Sequence, residues 1–566
     1  MIEIPPAFSV PLLKLLLAWC VLLLLYAETH YHFRFAPSLL YRRRPEIIAD
    51  APHRLEPGHA LPILLIIKDA HRFPVAVQHV CAEIVCRPST AQPQVVTQRN
   101  ATLRFRLQDT REEIATPWWW RLYFVQLSAE FTGPLAVNVG VHYRCRGKDF
   151  YCWNDNHVGT SRAPLQVFRS LWPLPTMANY CHGDLHFHSE ATSDQVEFGA
   201  PVEAMIAMAK AQGLSFCAVT DHSYDLDDEA GDYLRNDPAL RKWHALRNHI
   251  QRLNGKHGDF VVIPGEEVSC GNASGRNVHF LILNHAHFIP GSGDSGERWL
   301  RTRPEHSVRE ILAMLEEEAL AFAAHPAVPM PWLQKRLLRR DHWQPQDFEH
   351  ARLNGMQFWN GGANGEEQGL RWWRKFLLEG KKLVAIAGND AHGNFNRFRQ
   401  ISWPCLTMKE NQHHVFGRSR TAVLLPAQLG LKNLLDALRR GRALITNGLM
   451  IDLEAVARDG EIFYPGDFAG KEIERVRLRA SSSPEFGPLD RAAILRGNLQ
   501  QKNEEIFYEC KNFADAFHFE VELTWPAIPE NYFIRAEATA RQKLSSGMNG
   551  SSSCAMTNPI WSNRQE

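Results

Sequence analysis

One short run constrains this chain more than any other feature, because it places two imidazoles and a carboxylate on one face. Residues 181–194 read CHGDLHFHSEATSD, with His186 and His188 two positions apart in an alternating stretch. In an extended strand, side chains at i and i+2 project from the same face, and Asp184 shares it. Neutral imidazole is a good ligand for zinc, manganese or iron. Chance also produces HxH pairs in a chain with 26 histidines, so the remaining sequence has to decide.

The chain from residue 181 to 448 alternates between strand and helix patterns. Seven short apolar runs predict buried strands, and they contain LHFH, AVTDH, VIPGEE, NVHFLIL, FAAHP, QFWNG and AGNDAH. Helical patterns such as SVREILAMLEEEA and EQGLRWWRKFLLEG separate several of these runs. Strands that alternate with helices predict a parallel α/β sheet or barrel.

Ligand-type side chains recur in these seven runs, mostly at their ends. They are His186 and His188, Asp221 and His222, Glu266 and Glu267, His279, His325, Asn360, and Asp390 and His392. At the carboxyl ends of barrel strands, such side chains converge on one active-site face. The joint pattern therefore predicts a metal site, although a single strand-end histidine would not.

The chain of 566 residues is too long for one ordinary domain. We predict a hydrophobic membrane-anchor helix over residues 1–28, a linker over 29–52 and an N-terminal β-sandwich domain over 53–175. Residues 176–448 form the predicted barrel, and residues 449–566 a C-terminal β-domain. Both flanking assignments follow from short β-like runs that are separated by turn residues.

The predicted anchor rests on the stretch VPLLKLLLAWCVLLLLY, in which Lys14 is the single charge. Spanning a bilayer takes roughly 20 apolar residues. A secretory signal and a buried helix are the alternatives. Arg34, Arg42, Arg43 and Arg44 follow the stretch, so the positive-inside rule predicts a membrane-anchored protein with its catalytic part in the cytoplasm.

Composition limits the expected partners. A net charge of +1 gives no electrostatic reason to expect nucleic acid. We expect a small-molecule substrate, and the sequence does not give the oligomeric state. The run WWW at residues 118–120 indicates core and sheet surface, with a carbohydrate-binding platform as the alternative.

The motifs HxH, TDH, GxE, AHP and DAH, in this order, resemble the PHP (polymerase and histidinol phosphatase) family over about residues 180–448. The wider context GDLHFHSEATSDQVEFGAP, PGEEVS, GNDAHG, TNG, PGD and TNPIW is similar to its CehA/McbA-type metallohydrolase branch, including the flanking β-domains. The resemblance implies a distorted (β/α)7 TIM-like barrel between two β-sandwich-like domains. It also implies two or three divalent metal ions, which would be zinc, manganese or iron.

The resemblance also implies a ligand set. The first metal would be held by His186, His188, Glu267 and Asp390. Glu267 would bridge to a second metal, which His279 and His325 complete. A third would take His222, His392 and Asp194, where many relatives carry histidine. The GxE spacing selects Glu267 over its neighbour Glu266.

Two further residues, Asp221 and Asn360, are candidates for catalysis and for substrate binding. We expect Asp221 to orient an imidazole or to handle a proton, which makes it a catalytic candidate beside Glu267. Asn360 either faces the substrate or caps a turn, and we take it as a substrate-binding candidate.

These residues predict a metal-dependent hydrolase whose multinuclear centre activates water to cleave a phosphoester. Carboxyl-ester or carbamate cleavage, as in the carbaryl-hydrolase members, is the rival reaction. An amidohydrolase-type deacylase also opens with HxH, but it normally bridges its metals with a carboxylated lysine. No lysine ends a strand here, and Glu267 stands in its place. A membrane-tethered binding protein with an inactive barrel is the alternative from another class.

Overall fold

The computed structural model describes residues 44–86, 101–156, 162–192, 198–229, 232–291, 293, 302–362, 364–396, 400–403, 406–409, 414–526, 528, 531–541 and 552–562. Strands far outnumber helices in these ranges. The described part of the chain is therefore β-rich, and the expected N-terminal hydrophobic helix lies outside it.

The N-terminal region consists of two facing sheets. Its strands are β1 (Glu46–Asp50), β2 (Arg54–Leu55), β3 (Leu61–Lys68), β4 (Val75–Cys86), β5 (Ala101–Gln108), β6 (Glu112–Ile114), β7 (Trp118–Val125), β8 (Gly133–Cys145), β9 (Lys148–Trp153) and β10 (Leu165–Arg169). One sheet has the order β1-β3-β7, and the other β2-β10-β8-β4-β5, with β6 and β9 attached to it. Buried side chains of both sheets form one hydrophobic core.

Strand β3 joins this region to the rest of the molecule, because both of its faces are buried. Ile63 and Leu65 pack in the core between the two sheets. Leu64 and Ile66 point the other way and pack with Phe187 and its neighbours in the central region. The alternation follows from the period of two in a strand. Trp118 and Trp120 on the neighbouring strand β7 pack against the same second cluster.

The central region carries most of the helices. Its strands are β11 (Tyr180–His188), β12 (Phe216–Val219), β13 (Asp228–Glu229), β14 (Asp232–Asn236), β15 (Val261–Gly271), β16 (Asn277–Leu283), β17 (Leu320–Ala324), β18 (Gly355–Asn360), β19 (Val384–Gly388), β20 (Ala391–His392), β21 (Gln400–Trp403), β22 (Leu406–Lys409), β23 (Arg420–Leu424) and β24 (Ala443–Thr446). Its helices are α1 (Val202–Ala211), α2 (Ser223–Leu226), α3 (Arg241–Lys256), α4 (Val308–Met314), α5 (Trp332–Leu337), α6 (Glu366–Leu378) and α7 (Leu431–Arg440), and Pro345–Phe348 forms a 3-10 turn.

Local signals explain where several of these helices begin and end. The side chain of Ser307 accepts a hydrogen bond from the backbone N–H of Glu310, whose carboxylate returns to the backbone of Ser307. This capping box satisfies the free donors at the start of α4. α7 ends at Gly441, whose φ of 82° is the left-handed conformation that glycine adopts without strain.

The seven strands that contain the motif residues lie side by side in the order β11-β12-β15-β16-β17-β18-β19. β20 follows β19 directly and pairs in parallel with β11, so the series returns to its first strand. The expected all-parallel arrangement needs correction, because β16 runs antiparallel to both β15 and β17. A turn of five residues joins β15 to β16, and strands joined so closely must run in opposite directions.

The C-terminal strands continue this sheet. They are β25 (Met450–Ala457), β26 (Ile462–Phe463), β27 (Ile473–Ser481), β28 (Leu489–Asn498), β29 (Asn503–Cys510), β30 (His518–Thr524), β31 (Tyr532–Ala540), β32 (Ser553–Thr557) and β33 (Ile560–Trp561). β32 pairs with β24 on one side and with β31 on the other. The sheet β26-β25-β27-β30 packs over this extension, and the two layers share one core.

Asn558 ties the C-terminal strands to the central ones. Its Oδ1 accepts from the backbone N–H of Ala385 in β19 at 2.7 Å. Its Nδ2 donates to the backbone oxygens of Ala385 at 3.1 Å and Ala443 at 2.9 Å. The side chain is buried, with 1% of its surface exposed.

We expect Asn558→Ala to lower the free energy of unfolding by about 2–4 kcal/mol, because the buried N–H of Ala385 loses its acceptor and the carbonyls of Ala385 and Ala443 each lose a donor. Urea denaturation measures this change. Asn433→Ala is the control: Asn433 bonds the backbone of Gln428 at the exposed start of α7, and its loss should stay within about 0.5 kcal/mol. Equal losses of unfolding free energy in the two variants would show that Asn558 does not link the C-terminal strands to the central ones.

The expected membrane localisation is corrected. Within the described ranges, no helix combines the length and the apolar character needed to cross a bilayer. The anchor expected over residues 1–28 lies outside those ranges. The expected membrane-anchored localisation, with the catalytic part in the cytoplasm, is therefore not supported.

Candidate metal centre

The HxH pair lies at the end of β11, where both imidazoles are fully buried. Their Nε2 atoms are 3.3 Å apart. Asp390, which follows β19, places Oδ1 3.4 Å from Nε2 of His186 and 3.2 Å from Nε2 of His188. Gly388 permits this approach, because a Cβ atom there would lie 2.7 Å from Cβ of His186. β11 and β19 therefore deliver three of the expected ligands to one point.

Glu267 in β15 is the carboxylate on which imidazoles from several segments converge. Its Oε1 lies 2.8 Å from Nδ1 of His279 and 3.1 Å from Nε2 of His325. Its Oε2 lies 3.0 Å from Nδ1 of His222. The HxH imidazoles approach it at 3.3 and 3.5 Å. One buried carboxylate thus faces five imidazoles, two from β11 and one from each of three other segments of the central region.

Three overlapping groups in this cluster could each hold a cation. They are His186, His188, Glu267 and Asp390; His222, Glu267 and His279; and His188, His222 and His392. Within each group, all ligand atoms lie within 4.8 Å of one another. Donors about 2.0–2.1 Å from a tetrahedral zinc ion are roughly 3.3 Å apart, which is close to the spacings of the first group.

Buried atoms without hydrogen-bond partners provide a second test of fit. Nδ1 of His222 and Oε2 of Glu267 are buried and make no hydrogen bond, although they face each other at 3.0 Å. Leaving such groups unsatisfied is costly in a protein interior. A cation between them would satisfy both atoms, so the donor set fits a divalent metal.

The electrostatics favour the forms that bind metal. Burial alone would raise the pKa of Glu267, but His279, His186 and His222 hold it well below its usual range. Burial, reinforced by His392 and His222, lowers the pKa of His188 well below its ordinary value. The cluster therefore presents an ionised carboxylate beside a neutral imidazole, as a metal requires.

His186 behaves differently. Burial lowers its pKa, but Glu267 and Asp390 outweigh burial and raise the pKa to about 9. In this arrangement a proton on His186 balances the two carboxylates. A bound cation would take over that role, so metal binding should release this proton.

Asn360 is turned toward Asp390. Its Nδ2 donates to Oδ2 of Asp390 at 3.3 Å, and its Oδ1 accepts from Nε2 of Gln357 at 2.9 Å. Oε1 of Gln357 lies 2.9 Å from Nδ1 of His186. The residue taken as a substrate-binding candidate is thus part of a buried chain of amides that positions two of the metal-ligand candidates.

Asp221 is fully buried and supports the loop after β11. Its Oδ1 accepts from the backbone N–H of Ser189 at 2.7 Å and from the hydroxyl of Thr192 at 2.9 Å. Its Oδ2 accepts from the hydroxyl of Ser189 at 2.7 Å. The Thr192 hydroxyl in turn lies 3.5 Å from Nδ1 of His188. Asp221 therefore bonds the turn at residues 189–192 directly, and it is linked to the imidazole of His188 only through the hydroxyl of Thr192.

Two metal-ligand candidates have unusual backbone conformations. His325 has a φ of 29° and Asp390 a φ of 53°, in the left-handed region that non-glycine residues seldom adopt. Such residues cost about 1–3 kcal/mol each and cluster at functional sites. The surrounding strands hold both side chains toward Glu267 despite this cost.

The remaining expected residues divide by position. Asp194 lies outside the described residues. Glu266, the neighbour that the GxE spacing passed over, faces away from Glu267 and accepts from Nε1 of Trp243 at 2.9 Å. Burial raises the pKa of Glu266 to about 7.

Two residues near the centre were not anticipated. Nδ1 of His414 lies 3.6 Å from Oδ2 of Asp390, and Nη2 of Arg340 lies 3.0 Å from Nε2 of His279. Neither residue ends one of the seven strands, so strand-end reasoning could not find them. The dense basic stretch RLLRR before Asp341 is the only sequence signal for Arg340.

No protein-family model matches this chain, and no curated protein matches it. Among solved structures, beta-glucuronidase from Parabacteroides merdae is 10% identical with a TM-score of 0.15, over 93% of this chain and 64% of that one. A calcium-binding mutant of Bacteroides uniformis beta-glucuronidase 2 is 11% identical with a TM-score of 0.16, over 91% and 60%.

A third solved structure is native alpha-2-macroglobulin from Escherichia coli, from domain MG7 to its C-terminus. It is 9% identical with a TM-score of 0.15, over 92% of this chain and 99% of that one. The match spans less than two thirds of either glucuronidase. At these TM-scores the similarities carry no conclusion about the fold or the function of this chain.

Proposed function

We propose that this protein is a metal-dependent hydrolase of the PHP type, CehA/McbA branch, and that it cleaves phosphoesters. The observation that carries the proposal is the buried cluster in which Glu267 and Asp390 face the imidazoles of several strands at 2.8 to 3.5 Å. A structural salt-bridge network would pair carboxylates with arginine or lysine. A cluster built almost wholly of imidazoles and carboxylates has the composition of a metal site.

The proposal includes the finer fold, a distorted seven-stranded barrel around the site. It is supported by the order of the seven motif-bearing strands and by the return of β20 to β11. Two or three zinc, manganese or iron ions would be held by residues of the three ligand groups. Bound divalent ions would supply Lewis-acid activation of water and stabilise developing negative charge.

The residues of the chain have separate tasks in this reaction. Glu267 and Asp390 supply the negative charge that retains the cations, and the Gln357–Asn360 amides fix the orientation of His186 and Asp390. Asp221 holds the Ser189–Thr192 turn against β11. The guanidinium of Arg340 beside His279 favours an anionic substrate, which supports a phosphoester over a neutral ester.

The test combines metal analysis with hydrolysis of three chromogenic substrates: p-nitrophenyl phosphate, p-nitrophenyl acetate and p-nitrophenyl N-methylcarbamate. The full chain is stripped with a chelator and reconstituted separately with zinc, manganese and iron(II). We expect two or three equivalents of metal and hydrolysis of the phosphate in the reconstituted protein, with no hydrolysis after stripping.

The control is the stripped protein incubated with magnesium, which prefers oxygen ligands and should not restore activity through imidazoles. Faster turnover of the acetate or the carbamate than of the phosphate would replace phosphoester cleavage by the rival reaction. Failure to bind any of the three metals would overturn the proposal and leave a binding protein.

A further inference from the structure

The short segment before β23 braces the loop that follows β19. Nδ1 of His414 lies 2.8 Å from the backbone oxygen of Asn389. Because a carbonyl oxygen can only accept, this nitrogen carries the proton and donates it. The backbone N–H of Ser419 donates to Oδ1 of Asn389 at 2.9 Å, and that of Phe416 donates to the backbone oxygen of Asn394 at 2.9 Å. The segment therefore holds the loop at both of its ends.

The peptide group that His414 contacts is fixed from two sides. Its oxygen, on Asn389, accepts from the imidazole, and its N–H, on Asp390, donates to the backbone oxygen of His186 at 3.0 Å. Asp390 has a φ of 53°, a left-handed conformation that is unfavourable for a residue with a side chain. Rotation of this peptide would relieve the conformation but would break both hydrogen bonds. The two bonds therefore keep Asp390 in its unusual conformation.

His414 and the HxH pair approach different oxygens of the Asp390 carboxylate. Oδ1 of Asp390 lies 3.4 Å from Nε2 of His186 and 3.2 Å from Nε2 of His188, whereas Nδ1 of His414 lies 3.6 Å from Oδ2. None of the three ligand groups among the described residues contains His414. Since Nδ1 already donates its proton to a carbonyl, His414 offers no lone pair to a cation through that atom.

We propose that His414 is a positioning residue of the metal centre, whose N–H fixes the peptide between Asn389 and Asp390 and thereby directs the Asp390 carboxylate toward the HxH pair. The inference rests on the metal centre of the proposed function and not on its substrate. Removing hydrogen bonds that orient metal ligands typically lowers metal affinity by about 10–100-fold. The affinity of the ligand group that contains Asp390 should therefore depend on a residue that does not itself bind the cation.

The test follows metal binding rather than turnover. The full chain is stripped with a chelator and titrated with cobalt(II), whose visible absorption reports the arrangement of its imidazole and carboxylate ligands. The equivalent of cobalt that is lost in Asp390→Ala identifies the ligand group in question. We expect His414→Leu to weaken the binding of this equivalent by about tenfold or more and to change its absorption spectrum.

Two further variants separate the hydrogen bond from general effects. His414→Asn keeps an N–H close to the position of Nδ1, so it should retain the affinity and the spectrum of the unaltered protein. His287→Leu is the matched control, because the side chain of His287 is 81% exposed and pairs with Glu316. It should leave the titration unchanged. If His414→Leu does not fold, His414→Gln takes its place, since its N–H lies one bond further from the backbone and should show the same loss.

The outcomes distinguish this inference from the proposed function. A loss in His414→Leu with retention in His414→Asn supports the positioning role even if none of the p-nitrophenyl substrates is hydrolysed. Equal cobalt binding by His414→Leu and the unaltered protein would overturn the positioning role and leave the metal centre standing. Equal losses in His414→Leu and His414→Asn would overturn it as well, because the ring and not its N–H would then be responsible. If the unaltered protein binds no cobalt, both proposals fail.

Discussion

Replacing Glu267 by glutamine should abolish metal binding and reduce hydrolysis by on the order of 1000-fold. Glutamine has nearly the same shape, but it removes the negative charge that faces five imidazoles at 2.8 to 3.5 Å. A metal centre contributes several kcal/mol of transition-state stabilisation, and about 1.4 kcal/mol corresponds to tenfold in rate. Metal content of the purified variant and its rate on p-nitrophenyl phosphate measure the effect.

Glu266→Gln is the matched control for this substitution. Glu266 is adjacent in sequence and equally buried, but its carboxylate accepts from Trp243 and from the hydroxyl of Ser223 on the other side of β15. We expect it to keep its metal and most of its activity. Equal losses in the two variants would show that burial of charge, and not metal binding, explains the Glu267 result.

Replacing Asp184 by alanine should lower the free energy of unfolding by at least about 4 kcal/mol and weaken metal binding at the same time. Its buried carboxylate accepts from the backbone N–H groups of His186, Asn389 and Gly417, and from Nδ2 of Asn389. Each donor left unsatisfied costs about 1–3 kcal/mol. Urea denaturation and metal titration measure the two effects.

Two variants sharpen this prediction. Asp184→Asn keeps an oxygen for the two backbone donors at Oδ1 but loses the acceptor of the Gly417 N–H and of Nδ2 of Asn389, so about half of the destabilisation should remain. Asp347→Ala removes a buried carboxylate that accepts from the backbone N–H groups of Ala273 and Gln344 and bonds none of the metal-ligand candidates. It should destabilise the fold without changing metal affinity. Unchanged metal affinity in Asp184→Ala would show that Asp184 has no part in positioning the ligands.

The strands that line the site could be predicted, because an apolar run followed directly by His, Asp or Glu can be recognised in the sequence alone. The direction of β16 was missed. The run NVHFLIL is buried on both faces, and a continuous apolar run gives no sign of whether its neighbours are parallel or antiparallel. The short turn at residues 272–276 was the signal that could have indicated a hairpin.

Contacts between residues that lie far apart in the chain could not be predicted from the sequence either. His414 lies in a stretch without strand or motif character, yet its Nδ1 lies 2.8 Å from the backbone oxygen of Asn389 and 3.6 Å from Oδ2 of Asp390. The role of Asp184 was similarly hidden, since its partners Asn389 and Gly417 are more than 200 residues away in the chain. Periodicity identified its face, but not what it bonds.

The position of β32 has a consequence for how the protein is made. This strand, Ser553–Thr557, fills the space between β24 and β31, and Asn558 follows it directly. A ribosome delivers these residues after all the strands that contain the motif residues, so a nascent chain holds β24 as an open sheet edge until then. Such an edge is a template for pairing with other chains. Truncations within this late segment should therefore produce aggregates rather than a shortened folded protein.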